Sequence, residues 1–270
     1  MVIASPSDTH FHYLELLSKN EYQGYVFCEK PIVTRLSDLE SVRNFCFARG
    51  RLFVNFNYRF SRFAKLVKKV IDSGALGEPL HLHAVSTQGL AFSSKYEHSW
   101  RADRARHPLG VSETKGIHYL NLAVWLFGTP EGLSHQEAII AQRGTAVDTA
   151  TLSLNFQGGK SATVFVSYAA PLRQMLALYG SNGYVIYEDD ELRFCGPRDT
   201  FSSQGYFDVP PSVERHSFKE AQVDFHLDSL QEAVAYFLGI CERKEKFPMI
   251  EIQSAYETTQ LLLELSCNNP

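Results

Sequence analysis

The stretch V-F-C-E-K-P, residues 26–31, decides how this chain is read. An apolar strand over 25–28 runs directly into the charged pair Glu29-Lys30 and stops at Pro31. A lysine at the C-terminal end of a buried strand lies where open α/β sheets bind their ligands. The same strand-then-turn pattern occurs in M-V-I-A-S-P, residues 1–6. Two consecutive βα units are therefore visible, the first already inside a strand at Met1. No G-x-G-x-x-G precedes them.

Working outward, residues 1–55 alternate between strand and helix. Strands are expected over 2–4, 25–28 and 52–55. A helix follows Asp8 or Thr9 as cap and runs to Ser18. A second is opened by Ser37 and Glu40, spaced as a capping box, and ends near Gly50. Strands alternating with helices argue for a parallel sheet. The pattern changes after Asn57. A helix is expected over 60–72 with Gly74 as its stop. Strands then come in quick succession, over 80–88, near 138–141, and over 150–156, 161–167, 174–179 and 184–187. Q-G-G-K (157–160) and S-N-G (181–183) supply positive-φ residues for tight hairpins. One helix, 113–127, interrupts them. Two more, 221–241 and 251–267, close the chain, the first with Leu227, Leu230, Val234 and Phe237 on one face. The acidic run 188–191 reads as a hairpin turn, and 197–217 as the least ordered segment.

The 270 residues hold one large domain or two ordinary ones. Hydrophobic residues make up 44% of the chain, enough for a core. The net charge of −4 leaves no electrostatic footprint for nucleic acid or an anionic membrane. Lys65, Lys68 and Lys69 share one solvated helix face. Five cysteines without a C-x-x-C suggest neither a disulfide framework nor a zinc knuckle. Reduced thiols suit a cytoplasmic location. No apolar run reaches the ~18 residues of a membrane span, and no secretory leader pattern is visible. His81-x-His83 puts two imidazoles on one strand face with no third ligand at a suitable spacing, so no metal is expected. The lack of a G-x-S-x-G removes the usual serine-hydrolase elbow.

Six motifs then fall in one order: A-S-P-S-D-T-H (4–10), C-E-K-P (28–31), N-Y-R-F (57–60), S-G-A-L-G-E-P (73–79), S-W-R-A-D (99–103) and G-I-H-Y-L-N-L-A-V-W-L-F-G (116–128). Their order and spacing resemble the glucose-fructose oxidoreductase / inositol dehydrogenase / rhizopine catabolism family (Gfo/Idh/MocA). The resemblance implies an α/β plus α+β protein. A partial Rossmann parallel sheet, truncated at its N-terminus, occupies 1–56. A mostly antiparallel open sheet with flanking helices occupies 57–270 and serves substrate binding and oligomerisation. Relative to a complete Rossmann domain, two βα units of roughly 30 residues each are expected to be missing. The expected edge at the first strand favours pairing with another chain.

The resemblance also assigns roles. Lys30 would sit beside a nicotinamide and the reacting hydroxyl, stabilising alkoxide, with Glu29 orienting it. A surface lysine after a strand is the ordinary alternative. His118, on an apolar helix face, has the right pKa to exchange a proton and matches the family's catalytic histidine. A hydrogen-bonded core histidine is its alternative. Ala4, Ser5, Pro6, His10, Glu29, Lys30, Pro31, Trp100 and Arg101 would hold the cofactor, NAD(H) or NADP(H). Lys30, Tyr58, Arg59, Thr114, Lys115, His118 and Asn121 would meet the substrate. Arg59 and Arg101 suit carboxylate or phosphate contacts, or structural ion pairs equally well.

The chain departs from the family beside His118. Where many members carry Asp four residues earlier, it has Thr114, with Glu113 one step further back and rotated by about 100°. Where many carry Asp three residues later, it has Asn121, which cannot take a proton. Lys115 can pair a substrate carboxylate or phosphate instead. The expected function is NAD(P)-dependent hydride transfer on a sugar, sugar nucleotide or polyol, by a homo-oligomer (dimer or tetramer). Its rival is a non-catalytic oligomerisation or sugar-binding protein. A third possibility is glycoside cleavage with a retained nicotinamide.

Overall fold

A computed structural model describes residues 1–48, 50–219 and 224–267. The opening segment alternates as expected: β1 (Val2–Ile3), α1 (His10–Lys19), β2 (Val26–Cys28), α2 (Leu36–Ala48) and β3 (Leu52–Val54). The strands pair in parallel in the order β1-β2-β3. Parallel neighbours need a crossover connection, and each helix is one. β2 and β3 are buried throughout. Cys28 looks toward α1, its Sγ 4.0 Å from His10 Nδ1. Phe27 and Phe53, in register, look the other way. β1 is an edge, and Val2 is exposed.

Ser61 caps α3 (Arg62–Asp72), accepting the Ala64 N–H at 3.2 Å. β4 (Pro79–Thr87), α4 (Ser94–Glu97) and α5 (Ile117–Phe127) follow, then β5 (Gly132–Ala138), β6 (Thr149–Asn155), β7 (Ser161–Ser167), β8 (Arg173–Gly180), β9 (Tyr184–Glu188), β10 (Glu191–Cys195), β11 (Ser212–Ser217), α6 (Phe225–Arg243) and α7 (Met249–Cys267). The second sheet runs β11-β10-β9-β8-β4-β7-β6-β5. Its β4–β7 pair is parallel and its other pairs antiparallel. Alternation along the strands buries Leu82, Ala84, Val164 and Val166 on the face where α5 lies. The opposite face carries His81, His83, Val85, Thr163 and Phe165, all half-exposed.

The C-terminal helices return to the first sheet. Phe237 of α6 meets Phe27 at 5.3 Å and Phe53 at 6.0 Å, and Phe247 meets Phe53 at 5.4 Å. Thr259 of α7 accepts the Ile32 N–H at 3.5 Å. A division at residue 56 therefore separates the sheets, while the cover of the first sheet comes from α6 and α7.

Local expectations fail where a tertiary contact decides. Ser37 lies inside the first turn of α2, its carbonyl accepting from Ser41 Oγ, so it is no capping box. Thr9 Oγ1 turns back to Pro6 O at 2.7 Å, and a 3-10 turn (Ser7–Thr9) leads into α1. β5 ends at Ala138, because the Asp148 carboxylate takes the N–H groups of Ile140 and Ala141. The 181–183 turn uses no positive φ. Gly183 is needed for close approach instead, since a Cβ would lie 2.6 Å from Cys195 O. Residues 197–217 include β11 and a Phe201–Phe207 bridge. The expected start of α6 at 221 lies outside the described residues. Its buried stripe is Phe225, Ser229, Ala233, Phe237 and Ile240, leaving Leu227 and Val234 exposed. The 113–127 helix splits into a π-helical turn (Ser112–Gly116) and α5. Among the described residues no helix is long and apolar enough to cross a membrane.

Candidate active site

The loops after β1 and β2 and the start of α5 converge on two adjoining cavities. One, of ≈ 580 Å³, is lined by Ser5, Lys30, Trp100, Arg101, Glu113 and His118 among others. The second, of ≈ 700 Å³, is lined by Tyr58, Lys115, His118, Gln174, Asp190 and Asp224 among others. Thr114, His118, Gln88 and His226 border both.

β2 delivers Lys30 to the wall between sheet and helix. Its Nζ donates to Thr114 O at 2.7 Å and to Glu113 O at 3.4 Å. Burial lowers its pKa to about 8, against the opposing pull of the Glu29 and Glu113 carboxylates. Glu29 is itself held, accepting from Asn55 Nδ2 at 2.8 Å. His10 is a buried brace between the two loops, its ring nitrogens 2.8 Å from Pro31 O and 3.0 Å from Ser5 O.

α5 delivers His118, which is 7% exposed. Tyr58 stacks on its imidazole, with ring centroids 4.5 Å apart. Burial, then Lys30, His226 and Lys115, hold its pKa well below the ordinary value, so the ring is neutral near neutrality and ready to accept a proton. Its Nδ1 is buried without a hydrogen-bond partner among the described residues. Lys115 Nζ donates to Ser86 Oγ at 3.2 Å, and burial brings its pKa to about 8. Thr114 Oγ1 lies 2.5 Å from Tyr168 OH.

Of the expected cofactor residues, Ser5, Glu29, Lys30, Pro31, Trp100 and Arg101 line the smaller cavity. The Arg101 guanidinium lies 4.4 Å over the Trp100 ring. Ala4 and Pro6 line neither cavity; Pro6 O serves the turn by accepting the Thr9 N–H at 2.9 Å. Of the expected substrate residues, Lys30, Tyr58, Thr114, Lys115 and His118 are brought together. Two are corrected. Asn121 is fully buried and donates to Ser254 Oγ (3.2 Å) and Thr258 Oγ1 (3.0 Å) of α7. Three residues past His118 on α5, it is directed to the helix neighbour, and away from both cavities. Arg59 faces Glu251 at 3.9 Å, the structural ion pair that was its alternative.

Glu113, Ser7, Asn55, Asn57, Tyr168 and His226 join the site without having been singled out for it. Glu113 is the instructive one: on an α-helix it would turn aside, and nothing in the local sequence announces the π turn. Gly116 is its one trace, since a Cβ there would come within 3.2 Å of Leu152 Cδ1 as the turn lies on the sheet. His81 and His83 instead bond Ser161 and Thr163 of β7. Among the described residues no group of three or more His, Cys, Asp or Glu is placed to hold a metal ion.

Comparison with known proteins gives two family matches. Residues 1–56 match the model described as oxidoreductase family, NAD-binding Rossmann fold, and residues 64–186 the GFO/IDH/MocA C-terminal domain. The chain is 28% identical over 171 residues to the D-apiose dehydrogenase of Rhizobium rhizogenes, covering 63% of this chain and 48% of that protein. It is 28% identical over 201 residues to the inositol 2-dehydrogenase of Rhizobium meliloti, covering 70% and 57%. It thus spans about half the length of these curated relatives. Its fold is similar to that of an inositol dehydrogenase homolog from Azotobacter vinelandii solved with NAD+, with a TM-score of 0.70 at 19% identity, covering 99% of this chain and 76% of that one.

Proposed function

The chain belongs to the Gfo/Idh/MocA family of oxidoreductases, and on that premise we propose that it performs NAD(P)-linked oxidation or reduction of a sugar, sugar nucleotide or polyol. The observation that carries this reading is the meeting of Lys30 and His118 at one cavity, each with the charge state the reaction needs.

The residues present fit the nicotinamide end of a dinucleotide. The ≈ 580 Å³ cavity lies within the size range of cofactor sites, and buried Glu113 Oε2 and His118 Nδ1 have no partner among the described residues. Ser5, Pro31, Trp100 and Arg101 would hold that end. NAD(H) or NADP(H), when bound, supplies the hydride exchange. The chain's part is the proton and the charge. In the oxidising direction, neutral His118 accepts the hydroxyl proton of the substrate. The Lys30 ammonium, fixed by the carbonyl oxygens of Thr114 and Glu113, stabilises the developing alkoxide. In the reducing direction His118 returns the proton. Lys115 and Tyr58 line the larger cavity, where the rest of the substrate would lie.

The half-exposed face of the eight-stranded sheet supports a homo-oligomer, dimer or tetramer. It would suit a non-catalytic assembly protein equally, but such a protein has no use for a neutral buried histidine beside a buried lysine. In this reading 1–56 serves the cofactor and 57–270 the substrate and assembly, with α6 and α7 shared. The free described thiols, Cys28, Cys46, Cys195 and Cys241, fit a cytoplasmic enzyme. A thermal-shift titration with NADH and NADPH tests it. A saturable rise with one of them is expected; no rise with either would overturn the reading.

A further inference from the structure

In an α-helix the residue five before His118 lies about 140° round from it. Hydrogen bonds of the i→i+5 kind widen the turn and bring that residue back to the histidine's face. The π-helical turn Ser112–Gly116 does this for Glu113, which lines the same cavity as Lys30 and His118. Glu113 is 1% exposed, and its Oε1 accepts from Ser7 Oγ at 2.5 Å, a tether to the loop after β1. Its Oε2 is buried with no partner among the described residues. Buried polar atoms left open in this way collect at functional sites.

We propose that Glu113 is a positioning residue of this site, a carboxylate carried beside Lys30 by the π turn to keep the ammonium charged and aimed into the cavity. What the ammonium acts on rests on the dehydrogenase reading; the placing of both side chains at one cavity does not. The groups around Lys30 explain the need. Arg101 and Lys115 press it toward neutrality, and His118, His226 and His107 add charge of the same sign if protonated. Glu29 and Glu113 oppose them, and Glu29 is engaged by Asn55. Glu113 in turn is faced by Asp8 and by His107, whose Nε2 is 3.9 Å away. Burial holds Glu113 up to about 7 and Lys30 down to about 8, so the two change charge in adjoining ranges.

The test is competitive acetic anhydride labelling of Lys30 across pH, read by mass spectrometry on the full chain without cofactor. Glu113→Gln keeps an acceptor for Ser7 but removes the negative charge. The labelling midpoint should fall by about one pH unit, so that Lys30 labels about tenfold faster at a pH below the midpoint. A midpoint equal to the parent's would overturn the proposal. So would a rise toward the ordinary lysine value, which marks mere loosening and entry of water. Ser7→Ala, which unpins the same carboxyl, guards against a variant that does not fold. A smaller fall of the same sign supports the proposal, and an unchanged midpoint overturns it. No cofactor is present, so a missing shift counts against Glu113 alone. A missing thermal shift with both NADH and NADPH counts against the dehydrogenase reading alone.

Discussion

The phenol ring of Tyr58 lies on the imidazole of His118, with centroids 4.5 Å apart and planes inclined by 24°. This stack closes one side of the histidine to water, and desolvation is the largest cause of its lowered pKa. In the proposed reaction the neutral form accepts the proton, so turnover should be lost as pH falls through that pKa. The acid limb of kcat/KM is expected below the ordinary histidine value of about 6.5. Tyr58→Ala admits water and should move the limb up toward 6.5, while Tyr58→Phe leaves it in place. His118→Asn should cut turnover by about 10²–10⁴-fold with cofactor binding retained. An acid limb that ignores Tyr58→Ala would remove the stack from this role.

Lys115 lines the larger cavity and, among the described residues, donates to Ser86 Oγ, so its ammonium keeps donors for a ligand. Lys115→Met is expected to raise substrate KM about tenfold, the worth of one charged hydrogen bond, with little change in kcat. Steady-state kinetics would show it. An unaltered KM would confine Lys115 to holding Ser86.

Asn121 joins α5 to α7 and stands outside both cavities. Asn121→Ala leaves the hydroxyls of Ser254 and Thr258 without that donor and should destabilise the chain by about 1–3 kcal/mol. Urea denaturation should register the loss while the cofactor dissociation constant stays at the parent value. A change in cofactor or substrate affinity without a loss of stability would return Asn121 to the site.

Buried histidines also set a pH dependence of stability. Burial holds His107 down to about 4 and His118 well below its ordinary value. A depressed folded pKa means that the unfolded chain binds the extra protons. This stability is therefore present above about 6.5 and is lost progressively as pH falls toward 4. Glu113 has the opposite sign: raised to about 7 from 4.5, its contribution is present below 4.5 and lost as pH rises through 7. Melting temperature should fall between about pH 6.5 and pH 5, and His118→Asn should flatten the fall. A profile unchanged by His118→Asn would show that the ring is no drier folded than unfolded.

Much of this was legible in the chain itself. The parallel start and the central strands follow from the 26–31 stretch and the strand and turn pattern, while a shared site for Lys30 and His118 was only implied by the family resemblance that the motif order carries. Those signals are local: an apolar run, a charged end, a turn residue. The losses share a different cause. Asn121 was assigned by its distance from His118 along one helix, but α7 arrives from over 130 positions away to claim it. Arg59 was claimed in the same way by Glu251. Glu113 was set aside because α-helical geometry was assumed where the chain makes a π turn, with Gly116 lying close over Leu152 of the sheet.

The return of α6 and α7 to the first sheet has a consequence for synthesis. Phe27 and Phe53 leave the ribosome about 200 residues before their partners Phe237 and Phe247. At ~5–20 residues per second that is an interval on the order of ten seconds or more. Throughout it, two aromatic rings on a nascent strand pair stay open to other chains. The first sheet is thus completed only after the whole second sheet has been made, and during that delay it is a natural client for a chaperone.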